Sequence, residues 1–297
     1  MLKKVNKNIV SETHSLEVSP KVTLRVEILR TGRKVENRAV FLHGGGITGN
    51  STLVRRPAAW LLENNVFDEI ILPDRRGAGG SSPFFMVTSF SELAGDIKIL
   101  LDKLEITGAL TLLAASYAGP IALNLAAIDS RISRVFLLAS SPMLLITKGE
   151  LGILHKMKLL VPVIKLILKL LTGRSQHQLD CVDLDFVYDI SHPTGYIAAQ
   201  VKILRQMKRS RLTSMLLQVD SVFKEENQEI SKDIKIRIPV YQIIGSRDTV
   251  WQHTSPAKYS GNMKHFRQEL IPNARHRDLF FRADEFLQLV QRIMAGE

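Results

Sequence analysis

Residues 22–29, VTLRVEIL, alternate apolar and polar side chains with period two, which predicts a strand buried on one face. Continuous apolar runs follow at 38–44 (RAVFLHG), 69–74 (EIILPD), 109–116 (ALTLLAAS), 134–140 (RVFLLAS) and 239–245 (PVYQIIG), and these predict strands buried on both faces. Helix-like segments lie between the earlier runs, at about 53–64, 90–104 and 117–127. Such alternation predicts an α/β fold, a doubly wound and mainly parallel sheet covered by helices on both sides. Between about 142 and 238 no clear strand-helix unit can be placed and helical patterns dominate, so this stretch is read as an insertion. The expected organisation is a core in two parts, residues 1–141 and 239–297, interrupted by a helical insertion over 142–238.

Composition narrows the class. With 297 residues, 45% hydrophobic and 23% charged, the chain has the balance of a globular protein able to bury a large core. The basic opening MLKKVNKN lacks an apolar core region after it, because Asn6, Asn8, Ser11 and Glu12 interrupt it, so a secretory leader is not expected. Cys181 is the only cysteine, which excludes an internal disulfide and weakens any cysteine-zinc reading; a reducing, cytoplasmic setting is expected, with no metal. The net charge of +11 would attract anions, yet no zinc-finger spacing or aromatic-basic motif accompanies it, so no nucleic-acid partner is expected.

Residues 151–171, LGILHKMKLLVPVIKLILKLL, are strongly apolar, but Lys158, Lys165 and Lys169 interrupt them and Pro162 should kink or split a helix. No run approaches the roughly 18 apolar residues of a membrane span. Two expectations follow. Either the segment packs its apolar side onto the core with its lysines solvated, or it associates weakly with an anionic membrane surface.

Candidate chemistry begins at Ser116, which ends an apolar run before a helix-like segment. A serine there is either a helix cap or a nucleophile held on a sharp strand-to-helix turn. The second case needs small residues two before and two after, because strand and helix pass closely; Ala114 and Ala118 stand there, with Gly119 next. A serine hydroxyl also needs a histidine to take its proton and a carboxylate to orient that histidine. Asp248, just past a strand end, and His276, in a later loop, stand in the order Ser, Asp, His expected on a doubly wound sheet. Taken singly, Asp248 could cap a turn and His276 could be a surface residue between Arg275 and Arg277; their joint occurrence in this order favours the triad. An oxyanion also needs backbone N–H donors, and His43-Gly44-Gly45-Gly46 follows a buried strand. The candidates are the N–H groups of Gly45 and Tyr117, with Gly44 as a further one. A phosphate loop is disfavoured because its Lys-Ser/Thr ending is missing.

With these pieces placed, the chain resembles the α/β-hydrolase superfamily over residues 22–294 apart from the insertion. A further turn fits: in DRRGAGGS, Asp74, Arg76, Gly77, Gly79 and Ser81 match D-x-R-G-x-G-x-S, for which the resemblance implies a structural role. The resemblance implies a sheet of about eight strands, a helical cap over the site formed by 142–238, and Ser116, Asp248 and His276 as nucleophile, acid and base without a cofactor. The alanines at the elbow and NARH, where a glycine often precedes the histidine, are departures. Serine at the elbow disfavours haloalkane dehalogenases and epoxide hydrolases, which carry aspartate there. The expected activity is hydrolysis of a small-molecule carboxylic ester with an apolar acyl or alcohol group. One alternative is a proline iminopeptidase-like aminopeptidase, which would hold the substrate's free amine with acidic cap residues; it is disfavoured because the insertion is rich in lysine and arginine, with only a small acidic cluster at Asp180, Asp183, Asp185 and Asp189. The other is a non-catalytic binding or signalling protein on the same scaffold.

Overall fold

The computed structural model describes residues 9–45, 49–142, 163, 166, 170, 213–214, 217–218, 220–221, 234–250, 261–276 and 278–296. One eight-stranded sheet organises them, in the order β1-β2-β4-β3-β5-β6-β7-β8. Its strands are β1 (Val10–Ser19), β2 (Val22–Arg30), β3 (Arg38–Leu42), β4 (Glu69–Pro73), β5 (Leu110–Ala115), β6 (Ile132–Leu138), β7 (Val240–Gly245) and β8 (Phe266–Ile271). The β1-β2 and β2-β4 pairs are antiparallel, and every pairing from β4 through β3 to β8 is parallel. The helices are α1 (Thr52–Glu63), α2 (Phe90–Lys103), α3 (Ala118–Ile128), α4 (Asp278–Phe281) and α5 (Ala283–Ala295).

The continuous apolar runs have a direct cause. Along β5, Leu112 and Ala114 enter a core with α2 and α3, whereas Leu113 and Ala115 enter a second core with α1 and α5. Successive side chains of a strand point to opposite faces, so a sheet covered on both sides requires apolar residues at every position. All six strands expected from the pattern are present. The two that the pattern does not show, β1 and β8, lie at the edges, where VSETHSLEVS and FRQELI leave most side chains exposed or half-buried.

β6 and β7 are neighbours in the sheet, and the connection between them runs from Leu138 to Val240, so residues 142–238 fall within one crossover. Most of 142–238 lies outside the described residues, as do Cys181, Lys158, Lys165, Lys169 and the four aspartates. Described residues within it are helical at 163, 166 and 170 and between 213 and 221. Ser214, Gln218 and Ser221 stand at i, i+4 and i+7, and all three are buried. Ser214 Oγ accepts the Phe84 N–H at 2.8 Å and Ser221 Oγ accepts the Thr88 N–H at 3.2 Å, so this polar face is fastened to the loop before α2. Val163, Leu166 and Leu170 stand at i, i+3 and i+7 and are exposed by 53%, 58% and 56%. The expectation that the apolar side turns wholly inward does not hold for these three. No helix among the described residues is long and apolar enough to cross a membrane.

The DRRGAGGS turn is built around Asp74. Its carboxylate accepts the N–H groups of Ser51 (2.6 Å) and Gly80 (2.9 Å) and lies 3.5 Å from Arg25 Nη1. Gly79 has φ +48°, and a Cβ there would sit 2.0 Å from Asp74 Oδ2, so the position excludes any side chain. Arg76 forms a two-point pair with Asp96 at 2.9 and 2.7 Å. The turn therefore ties β4 to α2 and to the start of α1.

Candidate active site

In a parallel sheet the strand ends converge at one edge, where loops can be brought together. Three such loops follow β5, β7 and β8. Ser116, directly after β5, has φ +48°, a conformation that costs a non-glycine residue about 1–2 kcal/mol and persists only when surroundings enforce it. Here the backbone is gripped on both sides. The Ser116 N–H donates to Leu138 O at 3.0 Å, and its carbonyl accepts the Gly119 N–H at 3.2 Å and the Ser140 hydroxyl. A Cβ on Gly119 would lie 2.2 Å from Ser140 Oγ and 2.8 Å from Ser141 O. The obligatory glycine of this turn is thus Gly119, and Ala114 and Ala118 are both accommodated in full burial.

Asp248 and His276 sit on two loops that are stitched together. Ser246 N–H donates to Ile271 O, Arg247 N–H to Ala274 O, and Asn273 N–H to Ser246 Oγ, at 2.9, 2.8 and 2.8 Å. Gly245 admits the close approach of Ala274, whose carbonyl oxygen would be 2.3 Å from a Cβ there. The Asp248 side chain is fully buried; Oδ1 accepts the Val250 N–H at 2.9 Å and Oδ2 lies 2.9 Å from His276 Nδ1. His276 Nε2 lies 2.9 Å from Ser116 Oγ. With Nδ1–H donating to the carboxylate, Nε2 is left as the acceptor for the serine hydroxyl, the tautomer a general base requires. The structure therefore brings Ser116, Asp248 and His276 into one continuous hydrogen-bonded chain.

Gly44 and Gly45 lie across the turn from Ser116. A Cβ on Gly44 would touch Ser116 Cβ at 3.4 Å, and one on Gly45 would meet Gln218 Nε2 at 2.9 Å and Tyr117 Cβ at 3.0 Å. Glycine is what lets this loop come so close. Neither the Gly45 nor the Tyr117 N–H is taken up by a backbone acceptor among the described residues. Gly46 lies outside them.

Two residues at the site have no counterpart in the sequence expectations. Gln218, from the insertion, places its amide beside Gly45 and Tyr117; it stands in MLLQVDS, where no motif marks it. Arg75 is buried behind the glycine loop, donating from Nη1 to Gly44 O at 2.9 Å, with its guanidinium carbon 4.8 Å from the centre of the Tyr117 ring. It occupies the unspecified position of D-x-R-G-x-G-x-S, so only its placement after a strand end hinted at it. Burial pushes the Arg75 pKa down to about 10, which leaves it charged at neutral pH. Its backbone N–H lies 3.3 Å from His43 Nε2, and His43 Nδ1 lies 2.8 Å from Gly44 O. Burial first and the Arg75 charge second hold the His43 pKa well below 6.5, so its ring is neutral.

A serine turn after a central parallel strand, a histidine-carboxylate pair at later strand ends and a glycine loop facing them define a hydrolase of the doubly wound sheet. The chain belongs to the alpha/beta hydrolase family, whose model matches residues 39–289. No curated protein matches the sequence significantly. Many solved structures share the fold. The hydrolase of 2-hydroxy-6-oxo-6-phenylhexa-2,4-dienoate from Rhodococcus sp. strain RHA1 is similar with TM-score 0.70 and 15% identity, covering 96% of this chain and 98% of that one. A thermophilic esterase from Thermogutta terrifontis gives 0.66 and 16%, covering 96% and 98%. A bromoperoxidase from Bacillus anthracis gives 0.65 and 19%, covering 96% and 100%. At such identities the likeness establishes the fold, and three different names on one fold leave the reaction to be argued from the site.

Proposed function

We propose that the chain is a serine hydrolase that cleaves a carboxylic ester with an apolar acyl or alcohol group through an acyl-enzyme. The observation that carries this reading is the Ser116-His276-Asp248 chain, 2.9 Å at each link, on a turn held at positive φ. Ser116 Oγ attacks the ester carbonyl carbon while its proton passes to His276 Nε2, and Asp248 stabilises the imidazolium. The carbonyl oxygen, now negative, faces the Gly45 and Tyr117 N–H groups. His276 then protonates the departing alkoxide. Water, deprotonated by the same nitrogen, attacks the acyl carbon and releases the acid and Ser116. A reducing, cytoplasmic setting suits a chain with Cys181 as its only cysteine.

The test is labelling with a fluorophosphonate, followed by turnover of a series of aryl esters of increasing acyl length beside a prolyl arylamide. Labelling lost in Ser116→Ala, with ester turnover exceeding amide turnover, supports the reading. Labelling retained in that variant sinks it, and preferred cleavage of the prolyl amide replaces it with the aminopeptidase reading.

A second reading concerns where such an enzyme acts. Val163, Leu166 and Leu170 present an exposed apolar stripe on one helical face, in a segment whose sequence also holds Lys158, Lys165 and Lys169. Apolar burial together with lysine attraction to headgroups is the chemistry of an anionic bilayer surface. This favours a weak interfacial association during hydrolysis of an apolar ester.

A further inference from the structure

We propose that Arg75 is a positioning residue for the oxyanion site, aiming the two candidate backbone donors without touching the substrate. The proposal rests on the acyl-transfer reading above.

The first link is covalent geometry. The Gly44 carbonyl and the Gly45 N–H belong to one planar peptide unit, on opposite sides of it, so a hydrogen bond that holds the oxygen also sets the direction of the N–H. Arg75 Nη1 makes such a bond at 2.9 Å, and His43 Nδ1 lies 2.8 Å from the same oxygen. Glycine on both sides leaves this plane with few steric limits of its own, so its orientation has to come from outside. The second link is the ring. The same guanidinium packs on the face of Tyr117, 4.8 Å from its centroid, and the Tyr117 N–H is the other candidate donor. One side chain thereby spans the two strand-end loops, after β3 and after β5, that supply both donors.

A role in stability alone fits the surroundings of Arg75 less well. Structural arginines this deeply buried are ordinarily paired with a carboxylate, since an unpaired buried charge is costly. Among the described residues no carboxylate forms an ion pair with Arg75, and its Nε has no hydrogen-bond partner. Asp74, its neighbour in sequence, spends its oxygens on Ser51, Gly80 and Arg25. The guanidinium, whose Nη1 also lies 2.7 Å from His43 Nδ1 and which feels the Asp74 charge, abuts the Gly44–Gly45 peptide in a region of low dielectric, where it favours negative charge on the far side of that peptide. The cavity beside Arg75, lined by Leu42, His43, Ile97 and Ile121 among others, has about 10 Å³, room for one water and no substrate group. Arg75 therefore acts through the peptide.

The test uses Arg75→Met and Arg75→Lys in the full chain, with a soluble short-chain ester. Arg75→Met should lower kcat by about a hundredfold while KM stays within about threefold, the signature of an interaction realised in the transition state. Arg75→Lys keeps the charge but not the planar stack, and should recover about tenfold of that loss. If Arg75→Met does not fold, Arg75→Lys alone decides, with a drop in kcat of about tenfold at unchanged KM expected. A direct readout accompanies the kinetics. In protein labelled with carbonyl-¹³C and ¹⁵N glycine, only Gly45, Gly46 and Gly80 follow another glycine and give split amide signals. The Gly45 signal should move in both variants. The proposal is overturned if kcat stays within about threefold of wild type, if the loss falls on KM alone, or if the Gly45 amide is unmoved. Wild-type protein that neither labels with fluorophosphonate nor turns over any ester removes the acyl-transfer reading instead, while the amide signal still decides whether Arg75 holds the peptide.

Discussion

Ser116 Oγ and His276 Nε2 lie 2.9 Å apart although 160 residues separate them in the chain. No local signal produces that contact. It exists because β5 and β8 end at the same edge of one sheet and because the loops after β7 and β8 are hydrogen-bonded to each other. The first prediction concerns this relay. Asp248→Asn preserves the volume of the buried side chain and its acceptor for Val250 N–H, yet it removes the carboxylate that fixes the His276 tautomer. Turnover should fall by about 10⁴-fold with the unfolding midpoint little changed. Steady-state kinetics beside thermal unfolding check this, and near-wild-type turnover would mean that another carboxylate orients His276.

The second prediction tests which small residue the turn needs. Gly119→Ala places a methyl group 2.2 Å from Ser140 Oγ, which is itself bonded to the Ser116 carbonyl. Overpacking of this kind costs about 1–3 kcal/mol, and the displaced hydroxyl loosens the Ser116 backbone. Fluorophosphonate labelling should slow as stability drops. Ala118→Gly, at the position where the family pattern has glycine, should leave labelling within a few-fold of wild type. Equal behaviour of the two variants would contradict the assignment of Gly119 as the tight contact.

Much of this was legible in the chain. The central strands announce themselves because burial on both faces favours apolar residues at successive positions, as in LLAA of β5. The edges do not, since β1 and β8 bury one side or neither and their residues look like loop. Ser116, Asp248 and His276, which the structure brings within hydrogen-bonding distance, could be picked out because the proposed acyl transfer asks for these residue types in this chain order. Gly119 was visible only as a neighbour, because its necessity comes from Ser140, a contact between the loop after β6 and α3 that no spacing encodes. Arg75 and Gln218 were hidden for the same reason. Their importance lies in a through-space relation to the glycine loop, and one sits at a free position of its motif while the other comes from the insertion.

The third prediction is a pH dependence of stability. The folded-state pKa of His43 is depressed below 6.5, by burial first and by the Arg75 guanidinium second, with the Tyr117 ring also packed on that guanidinium. Below 6.5 the unfolded chain takes up a proton that the folded chain refuses. The stability contributed by the neutral ring is therefore complete above 6.5 and is lost as pH falls toward the folded value, at up to about 1.4 kcal/mol per pH unit. Urea unfolding of wild type between pH 7 and 5 should contain this slope, and His43→Gln should lack it. An identical pH dependence in the two proteins would show that His43 is protonated in the fold.

The last prediction separates the two expectations for residues 151–171. If the stripe of Val163, Leu166 and Leu170 only occupies a solvent-facing side of the insertion, vesicles change nothing. If it meets a bilayer, wild-type protein should co-sediment with vesicles containing phosphatidylglycerol at low salt and much less with phosphatidylcholine alone. Each lysine near an anionic surface contributes about 1 kcal/mol, so Lys158, Lys165 and Lys169 together changed to glutamine should weaken binding by about a hundredfold. Changing Val163, Leu166 and Leu170 to serine should weaken it as well, because the apolar contribution is separate from the charge. Neither set belongs to the Ser116-His276-Asp248 chain, so hydrolysis of a soluble short-chain ester should stay at the wild-type rate in both. Wild-type protein that stays in the supernatant with anionic vesicles at low salt would end the membrane reading and leave the exposed stripe without an occupant.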